Sequence, residues 1–593
     1  MAIFNAQQDP EPITIENFLG INEAVGETQI KLGEAVSMQN FRITKNYKAQ
    51  KRNGYSTFID YANTEPTYMW NGYLDGVKLL ISSNNGKIYE YDFVLETNTE
   101  IGILTDTSNV NFFEFNGVLY LQNGTEYKSY DGTTYGDIEP YIPLIIIEAS
   151  PNLSVSTSFE ELNILTGTKK MEFVEDGSTL IFELPEDTID SIDTVYEAGV
   201  LLVGGGTDYT ADTVNGELSL TTAGASETIL EVTWTKASTA NADDINKCRF
   251  ALDYGVGNDT NIFMWGNEDK PSTRFQSGLE DPTYFPSNNF TKIGSSQFAI
   301  TDIKKQYSRQ IIFKEKATYY SRPEQIQFAD GVFEWEYPIF DLNEKVGNAA
   351  FNQVRLLSNT PVSLYGQSIW EWSSTEVEDE RNANIISDKI KLSLLDEDLS
   401  QAITFDYARL NEYWITVGDK VYVYNYFTEL YYVFTNIPAL QYLDIDNSIY
   451  FSTNGTIETF DEILTSDNGE VINARLELGF TDFGSADMQK NSRRMWIVIR
   501  PEDNTGLELL WQTDRKALTP DKSIKVIFDL ATFEAMNFED FSFETNRNPQ
   551  TFRKKIRAKK YAFIKFILTN IDLDETLTIL SIRVQAETAG QVR

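Results

Sequence analysis

Carboxylates are the most numerous groups in this chain that could perform chemistry, since 89 of its 593 residues are Asp or Glu. Two carboxylates are sufficient for glycoside hydrolysis, one acting as an acid and the other as a base or nucleophile. Acidic runs occur at residues 376–380 and 396–398. Because accidental pairs are frequent at this acidic content, both runs are interpreted as solvated turns. A glycosidase that uses carboxylates alone is the last of three hypotheses for function.

Alternating aspartates occur at Asp444 and Asp446 and again at Asp572 and Asp574. Alternate carboxylates can bind Ca²⁺, but neither pair has the Gly and the distant Glu of an EF-hand loop. Both pairs are interpreted as, at most, loose surface cation sites, and no metal-binding residue is assigned.

Histidine is absent and cysteine occurs once, at Cys248. The lack of histidine excludes Ser-His-Asp and Cys-His catalysis, His-ligated zinc and the 2-His-1-carboxylate iron site. Cys248 cannot form an intrachain disulfide and is predicted to be a small buried apolar residue. The missing histidine therefore excludes most hydrolase and oxidoreductase mechanisms, and no catalytic residue and no cofactor is assigned.

Aromatic side chains could bind a sugar by stacking, and the candidates are Trp370 and Trp372 and the pair Tyr431 and Tyr432. Aromatic residues make up 13% of the chain. Packing within and between sheets is expected to use most of them. Glycan or receptor binding is therefore the second hypothesis for function.

A strongly basic run lies near the end of a chain whose net charge is −40. Six of the eight residues from 553 to 560 are cationic, namely Arg553, Lys554, Lys555, Arg557, Lys559 and Lys560. Proteins that grip nucleic acid are usually basic overall, because phosphate contacts require Lys and Arg. We therefore favour docking of this run on an acidic surface of a neighbouring subunit over DNA binding. A strand edge guarded by lysines is the alternative.

The elements that position these residues are short aromatic strands joined by tight turns. Asn-Gly or Gly-Asp turns between strand-like runs end at Gly86, Gly124, Asp419 and Gly455. Such turns supply the positive φ that a two-residue hairpin requires. Gly86 and Gly124 are 38 residues apart, and Gly418 and Gly455 are 37 apart. A four-stranded propeller blade repeats at about 40 to 45 residues, so the chain is predicted to be all-β, with a β-propeller of about seven blades.

Four segments are predicted from changes in composition. Residues 1–149 form the first part of the propeller with N-terminal lead-in strands, and residues 240–465 form its second part. Residues 150–239 have few aromatic residues and closely spaced turns, which is typical of an inserted small β-sandwich. Residues 466–593 contain longer strands without the blade spacing and are predicted to form a separate β-sandwich. The sequence contains neither a signal-peptide pattern nor a run of about 20 apolar residues, so no membrane insertion is expected.

Two groups of phrases resemble proteins of tailed bacteriophages. The first group contains three phrases in this order: residues 17–22 (NFLGIN), residues 33–44 and residues 51–55 (KRNGY). Within residues 33–44, Asn40 and Thr44 stand where the phrase of the phage proteins has Asn and Thr. The second is SGLEDPTYFP at residues 277–286. Together they resemble the tail nozzle, or tail tubular protein B, group, which includes the muzzle and packaged-DNA stabilisation proteins.

The resemblance implies a structural virion protein rather than an enzyme. It implies a propeller with added β domains, six copies of which form a ring at the distal end of a short tail. The partners would be other copies of the chain, adaptor or portal-proximal ring proteins and, as a further candidate, tail fibres. The lumen would retain double-stranded DNA and then conduct it without sequence-specific binding. The location would be the phage tail, assembled in the host cytoplasm, and an anionic wall would repel the phosphates.

Overall fold

A computed structural model describes residues 12–106, 109–257, 259–327, 333–373, 380–500, 504–515, 524–529 and 549–591. The chain divides into two compact units. The first contains residues 1–67 and 346–593, and the second contains residues 68–345. The regular secondary structure of both is almost entirely β-strand, mostly in antiparallel pairs, and the strands carry apolar side chains on their buried faces.

The first unit begins with five short strands. They are β1 (Ile13–Ile15), β2 (Ala35–Gln39), β3 (Phe41–Ile43), β4 (Ala49–Lys51) and β5 (Tyr55–Asp60). Strands of three to six residues that alternate between the two faces of a sheet require partners elsewhere in the chain.

The second unit contains four four-stranded antiparallel sheets of the blade type. The first two consist of β6 (Thr67–Leu74), β7 (Val77–Asn84), β8 (Lys87–Asp92) and β9 (Thr97–Ile103), then β10 (Asn111–Phe115), β11 (Val118–Gln122), β12 (Tyr127–Tyr130) and β13 (Tyr135–Asp137). The predicted Asn-Gly turn lies between β7 and β8, where Asn85 and Gly86 both have positive φ.

The inserted β-sandwich follows. Its strands are β14 (Leu144–Ala149), β15 (Thr157–Ser158), β16 (Thr168–Val174), β17 (Ile181–Glu183), β18 (Ser191–Glu197), β19 (Val200–Leu201), β20 (Tyr209–Asp212), β21 (Glu217–Leu220) and β22 (Ile229–Thr235). Six of them form one sheet in the order β15-β14-β16-β22-β18-β19, and the other three form a second in the order β17-β21-β20. A hydrophobic core of their own, which includes Phe173, Phe182 and Trp234, lies within this group.

After a 3₁₀ turn (Ala237–Thr239) and the short α1 (Asp243–Asn246), the second unit continues with two more blade-type sheets. Their strands are β23 (Phe250–Val256), β24 (Asp259–Trp265), β25 (Thr273–Gln276) and β26 (Phe290–Lys292), then β27 (Ile300–Gln306), β28 (Arg309–Lys314), β29 (Thr318–Ser321) and β32 (Ile339–Asn343). A hairpin of β30 (Glu324–Gln327) and β31 (Phe333–Glu336) interrupts the last sheet.

The first unit resumes with three further blade-type sheets. They consist of β33 (Arg355–Leu357), β34 (Thr360–Tyr365), β35 (Ser368–Trp372) and β36 (Ala383–Ile385), then β37 (Ile403–Tyr407), β38 (Glu412–Val417), β39 (Lys420–Asn425) and β40 (Leu430–Phe434), then β41 (Gln441–Ile445), β42 (Ser448–Ser452) and β43 (Thr456–Phe460) with β5 as the fourth strand. Short helical segments lie between the first two sheets, at Glu380–Asn382, Asp388–Ile390, α2 (Lys391–Leu395) and Leu399–Gln401.

Seven further strands are described after residue 470. They are β44 (Ala474–Leu478), β45 (Met488–Arg500), β46 (Asn504–Thr513), β47 (Ile524–Asp529), β48 (Gln550–Tyr561), β49 (Ile564–Asn570) and β50 (Thr578–Gln591). They form the C-terminal β-sandwich together with the lead-in strands. One sheet has the order β3-β4-β50-β45-β48 with β1 beside β50, and the other joins β44-β49-β46-β47 through β2 to β40 of a blade.

These sheets confirm the predicted all-β fold of the β-propeller type with two added sandwiches. Seven blade-type sheets occur in the described part of the chain, and the number of blades in a closed ring stays a prediction. Two expectations need correction. Strands β1–β4 were expected with the first part of the propeller, but β1 and β4 pair with β50, β2 pairs with β44 and with β40, and β3 joins the same sheet through β4. The C-terminal sandwich is therefore not separate, because it shares a sheet and a hydrophobic core with the last blades.

The predicted domain boundaries stay predictions, although β14 begins at Leu144, before the boundary at residue 150. Within the described ranges, no helix has the length and apolar character needed to span a bilayer.

Candidate functional site

The basic run lies on β48, the edge strand of its sheet. Arg553, Lys555 and Arg557 alternate along the strand and are exposed on the outer face. Ile556 and Ala558, between and after them, point inward and belong to the core of the first unit. The period of two that defines a strand therefore places three of the six predicted cations on one surface.

The other three predicted cations lie elsewhere. Lys554 is half-buried and opposite Met495, a core residue of β45. Lys559 and Lys560 are exposed where the register with β45 shifts, and Lys560 has a φ of 52°. The Lys560 N–H donates to Asn491 Oδ1 at 2.9 Å. An inward-facing lysine and a bulge are both devices that protect sheet edges from further pairing, so this half of the run fits the predicted alternative.

Neighbouring strands extend the outer surface of this sheet. Arg553 lies opposite the half-exposed Trp496 of β45, which lies opposite the exposed Arg583 of β50. In the next row Lys555 lies opposite Arg494. We call this surface the basic face and define it as Trp496 with Arg494, Arg553, Lys555, Arg557 and Arg583. Sequence reasoning missed Trp496 and Arg583, although their alternation within long strands was visible, because strand pairing could not be read from the chain.

The charges of the basic face are largely uncompensated. Arg583 lies 3.9 Å from Glu16, and both side chains are exposed. No carboxylate among the described residues forms an ion pair with the other four cations. Like charges directly opposite each other, as in Lys555 and Arg494, are destabilising in a sheet. A surface that retains such a pair is suited to an anionic partner.

Asn40, from the first group of phrases, joins three parts of the first unit. Its Nδ2 donates to Thr435 Oγ1 and Asn473 O, both at 2.8 Å, and its Oδ1 accepts from Thr435 N and Arg52 Nε, both at 2.9 Å. The φ of 54° at Asn40 is one that asparagine tolerates better than most residues. All four hydrogen-bonding positions of this buried amide are used. We call this contact set the Asn40 joint, because it ties the lead-in strands to the last blades and to the C-terminal sandwich.

A buried ion pair supports the Asn40 joint. Arg52 binds Asp467 through two bonds, Nη1–Oδ1 at 2.8 Å and Nη2–Oδ2 at 2.5 Å, and the two side chains are 2% and 0% exposed. The preceding Lys51 donates to Asn570 Oδ1 at 2.7 Å, and burial lowers the pKa of Lys51 to about 8. At Gly54 a Cβ atom would lie 1.9 Å from Ser466 O, so only glycine permits this approach. The KRNGY phrase is therefore structural at Lys51, Arg52 and Gly54.

Asn163 forms the corresponding joint of the inserted sandwich, the Asn163 joint. Its Nδ2 donates to Tyr141 O at 2.8 Å and Thr283 O at 2.9 Å, and its Oδ1 accepts from Phe285 N at 3.0 Å and Leu165 N at 3.2 Å. Thr283 and Phe285 belong to the SGLEDPTYFP phrase. The second group of phrases therefore fixes the inserted sandwich to the segment between β25 and β26.

Two more bonds of this phrase have structural roles. Tyr284 donates through its hydroxyl to Glu161 O at 2.9 Å, and Ser277 Oγ accepts from Ile262 N at 2.9 Å. Both groups of phrases thus contain residues that hold parts of the fold together.

The carboxylates considered for catalysis are engaged in local structure where they are described. Burial disfavours ionisation of Glu397, but hydrogen bonds from Tyr422 and Lys420 outweigh it and lower the Glu397 pKa. Asp398 caps a short helix by accepting from Ser400 N at 3.0 Å. Most of the run at 376–380 lies outside the described residues. In the described part of the chain, no three acidic or Cys residues cluster as a metal site would require.

The aromatic candidates and Cys248 are mostly buried. Trp372, Tyr431 and Tyr432 are at most 2% exposed, and the Tyr432 hydroxyl donates to Glu412 at 2.7 Å. Trp370 is half-buried and donates to Tyr365 O. Cys248 is buried as predicted, and burial raises the pKa of its thiol. Three of the four aromatic side chains are thus unavailable to a sugar.

A cavity of about 1340 Å³ lies in the first unit between the turns of the last blades and the C-terminal sandwich. Its charged lining includes Arg42, which is paired with Glu412 at 2.6 Å. Glu412 also accepts from Trp414 Nε1 at 2.9 Å. These groups are occupied by one another, so the cavity wall at this point is a packed ion pair rather than a free acid or base.

No family model and no curated protein matches the chain. Among solved structures, the chain is similar to one in a mitotic checkpoint complex, with 8% identity, 69% of this chain and 93% of that chain covered, and a TM-score of 0.33. The WD40 domain of SCAP from fission yeast has 9% identity, coverages of 69% and 98%, and a TM-score of 0.26.

An exo-beta-1,3-galactanase from Phanerochaete chrysosporium has 9% identity, coverages of 56% and 95%, and a TM-score of 0.21. Similarities at this level carry no argument about what the chain does.

Proposed function

We propose that this chain is a structural subunit of a bacteriophage tail, of the nozzle or muzzle type. The observation that carries the proposal is the structural role of residues in the two groups of phrases. Residues of these phrases take part in the Asn40 and Asn163 joints, where buried amides and a buried ion pair hold β sheets from distant parts of the chain together. A protein whose distinctive residues build joints is suited to a mechanical role.

In this proposal the chain is not an enzyme and acts by assembly. Six copies form a ring at the distal end of the tail, attached to an adaptor or portal-proximal ring, with tail fibres as a further candidate partner. The ring retains double-stranded DNA and conducts it during ejection. The net charge of −40 supports this role, because an acidic wall repels phosphates and lets the DNA pass without sticking.

Rigid joints also suit a conduit. Groups held by four hydrogen bonds in a water-poor environment resist displacement, because each broken bond leaves a buried polar group unpaired. The aromatic candidates for glycan recognition are mostly buried, so receptor binding has less support than assembly.

The test is single-particle electron microscopy of the purified chain and of virus particles that contain it. The expected result is a six-fold ring with a central channel at the end of a tail. Copies that protrude separately from the periphery of the tail would contradict the proposal and favour receptor binding instead.

A further inference from the structure

We infer that the basic face of one copy binds the outer surface of the three-stranded sheet in the inserted sandwich of a second copy. The inference rests on the proposed function, since it supposes that copies of the chain assemble. The contact joins two different surfaces, so neighbouring copies are arranged head to tail.

The three-stranded sheet carries a row of carboxylates. Glu183 of β17 lies opposite Glu217 of β21, which lies opposite Asp212 of β20. Glu183 and Asp212 are exposed and Glu217 is half-exposed, whereas Phe182 and Leu218 point into the core of the sandwich. We call Glu183, Glu217 and Asp212 the acidic row.

The carboxylates of the acidic row have no cationic partner among the residues that the structure describes. None of the three forms an ion pair with a described Lys or Arg. Hydrogen bonds from the backbone N–H and side chain of Asn215 lower the pKa of Asp212, which keeps it ionised at neutral pH. Neighbouring strands are about 4.8 Å apart, so like charges in one row repel, as Lys555 and Arg494 do on the basic face.

The net charges of the two sandwiches support the same pairing. Residues 150–239 contain 16 acidic and 3 basic residues, a net charge of −13, whereas residues 466–593 contain 19 of each and are neutral. The C-terminal sandwich can therefore approach the inserted sandwich of another copy without the repulsion that two average surfaces of this acidic chain would experience.

An apolar contact accompanies the charges on both surfaces. Trp496 lies between Arg553 and Arg583 on the basic face. Ile181 is 50% exposed and lies two residues before Glu183 on the same face of β17. Trp and Arg are the residues most enriched among those that dominate binding energy at protein interfaces. A Trp that lies between two arginines matches an apolar side chain beside a carboxylate.

The chemistry also limits the symmetry of the contact. Two basic faces repel each other, and so do two acidic rows, so the contact joins two different surfaces. Repeated head to tail, such a contact is heterologous and generates a closed ring or an open filament. The inferred contact is therefore of the kind that a tail ring requires.

The test uses two charge-reversed variants. The acid-reversed variant carries Glu183→Lys and Glu217→Lys, and the base-reversed variant carries Arg553→Glu and Lys555→Glu. Matched controls reverse exposed charges outside both surfaces, with Glu148→Lys and Glu227→Lys for the first and Lys31→Glu and Lys45→Glu for the second. Circular dichroism and thermal unfolding check that each variant folds, and native mass spectrometry with electron microscopy measures assembly, alone and on the tail adaptor.

We expect each reversed variant alone to lose ring formation at least tenfold relative to wild type and controls. An equimolar mixture of the two variants is expected to recover it, because every contact between unlike variants again joins opposite charges. A single chain carrying both reversals should assemble as well. Recovery in the mixture is specific to a contact between copies, because a contact within one chain would be restored only in the doubly reversed chain.

The outcomes separate the inference from the proposed function. Rings formed by wild type and equally by both reversed variants would overturn the inference and leave the proposed function standing. Variants that fail alone and also fail in the mixture would overturn the inference as well. A wild-type chain that stays monomeric, alone and on the adaptor, would overturn the proposed function and the inference with it.

Discussion

The inserted sandwich and the C-terminal sandwich are each fixed by an asparagine that uses all four of its hydrogen-bonding positions, yet their surroundings differ. Asn163 lies beside a sandwich that has its own hydrophobic core. Asn40 lies within a core that runs without interruption from the last blades into the C-terminal sandwich. The first joint attaches a complete domain, whereas the second lies inside one.

An added domain is therefore recognised by where its hydrophobic core ends rather than by its strands. The inserted sandwich takes all its strands from one stretch of chain, β14 to β22. The C-terminal sandwich takes β1, β2, β3 and β4 from the other end of the chain. The inserted sandwich is therefore expected to fold by itself, whereas the C-terminal sandwich is not.

Expression of the two sandwiches as fragments should give the largest contrast. A fragment of residues 143–240 is expected to fold cooperatively, because it contains both of its sheets and their core. A fragment of residues 466–593 is expected to remain unfolded or to aggregate, because it lacks the strands that cover its core and leaves edges unpaired. Circular dichroism and thermal unfolding measure both. A cooperative transition in the second fragment would contradict the distinction.

Removal of the charge at Arg52 should have the next largest effect. Arg52→Met leaves Asp467 buried without its partner, and losses of this kind cost about 3–5 kcal/mol of unfolding free energy. Chemical denaturation of the full chain should show the loss in the transition of the first unit only. Lys87→Met, which removes an exposed ion pair with Glu100, is the control and should have no resolvable effect. An equal response to the two substitutions would show that burial of the Arg52 pair is unimportant.

Alanine substitutions at the two asparagines compare the joints directly. Each leaves several buried backbone groups unpaired, at a cost of about 1–3 kcal/mol. Hydrogen exchange should separate the two variants. Asn163→Ala is expected to expose the N–H groups of Leu165 and Phe285 while the core of the inserted sandwich stays protected. Asn40→Ala should reduce protection across β40 and β44 together, and a purely local effect there would contradict the shared core.

The smallest expected effect is a pH dependence confined to the inserted sandwich. Burial, together with the adjacent Glu197, raises the pKa of Glu175 from 4.5 to about 7. A raised carboxyl pKa means that the folded form holds the proton more tightly, so stability falls as the pH rises from about 5 to about 7 and then levels off. Thermal unfolding of fragment 143–240 should show this slope, and Glu175→Gln should remove it. A slope that persists in this variant would assign the effect to another group.

The blades and the inserted sandwich could be predicted because their signals are local. The Asn85-Gly86 turn with its flanking aromatic strands forms one hairpin, and hairpin partners are adjacent in sequence. The partners of β1 to β4 could not be predicted in this way. Nothing in the short sequence of β4 indicates that it pairs with Ile579, because a strand pattern specifies which face is buried but not which distant strand lies beside it.

Only the part of the candidate site that is local in sequence could be predicted. The run from Arg553 to Lys560 was found by composition, but the alternation of a strand and the register shift near Lys559 divide it among three environments. Trp496 and Arg583 joined the surface only when β45, β48 and β50 were seen side by side. The structural role of the KRNGY phrase could not be predicted either, because Asp467 lies more than 400 residues from Arg52 in the sequence.

The completion of a blade by β5 has a consequence for the order of events during synthesis on the ribosome. The second unit is one continuous stretch, residues 68–345, and can fold while the rest of the chain is being made. Residues 12–67 are translated before their partners and must wait for β43, β44 and β50 to emerge. The basic face is thus completed only after β48 and β50 have been made, which delays contact between nascent chains until that point.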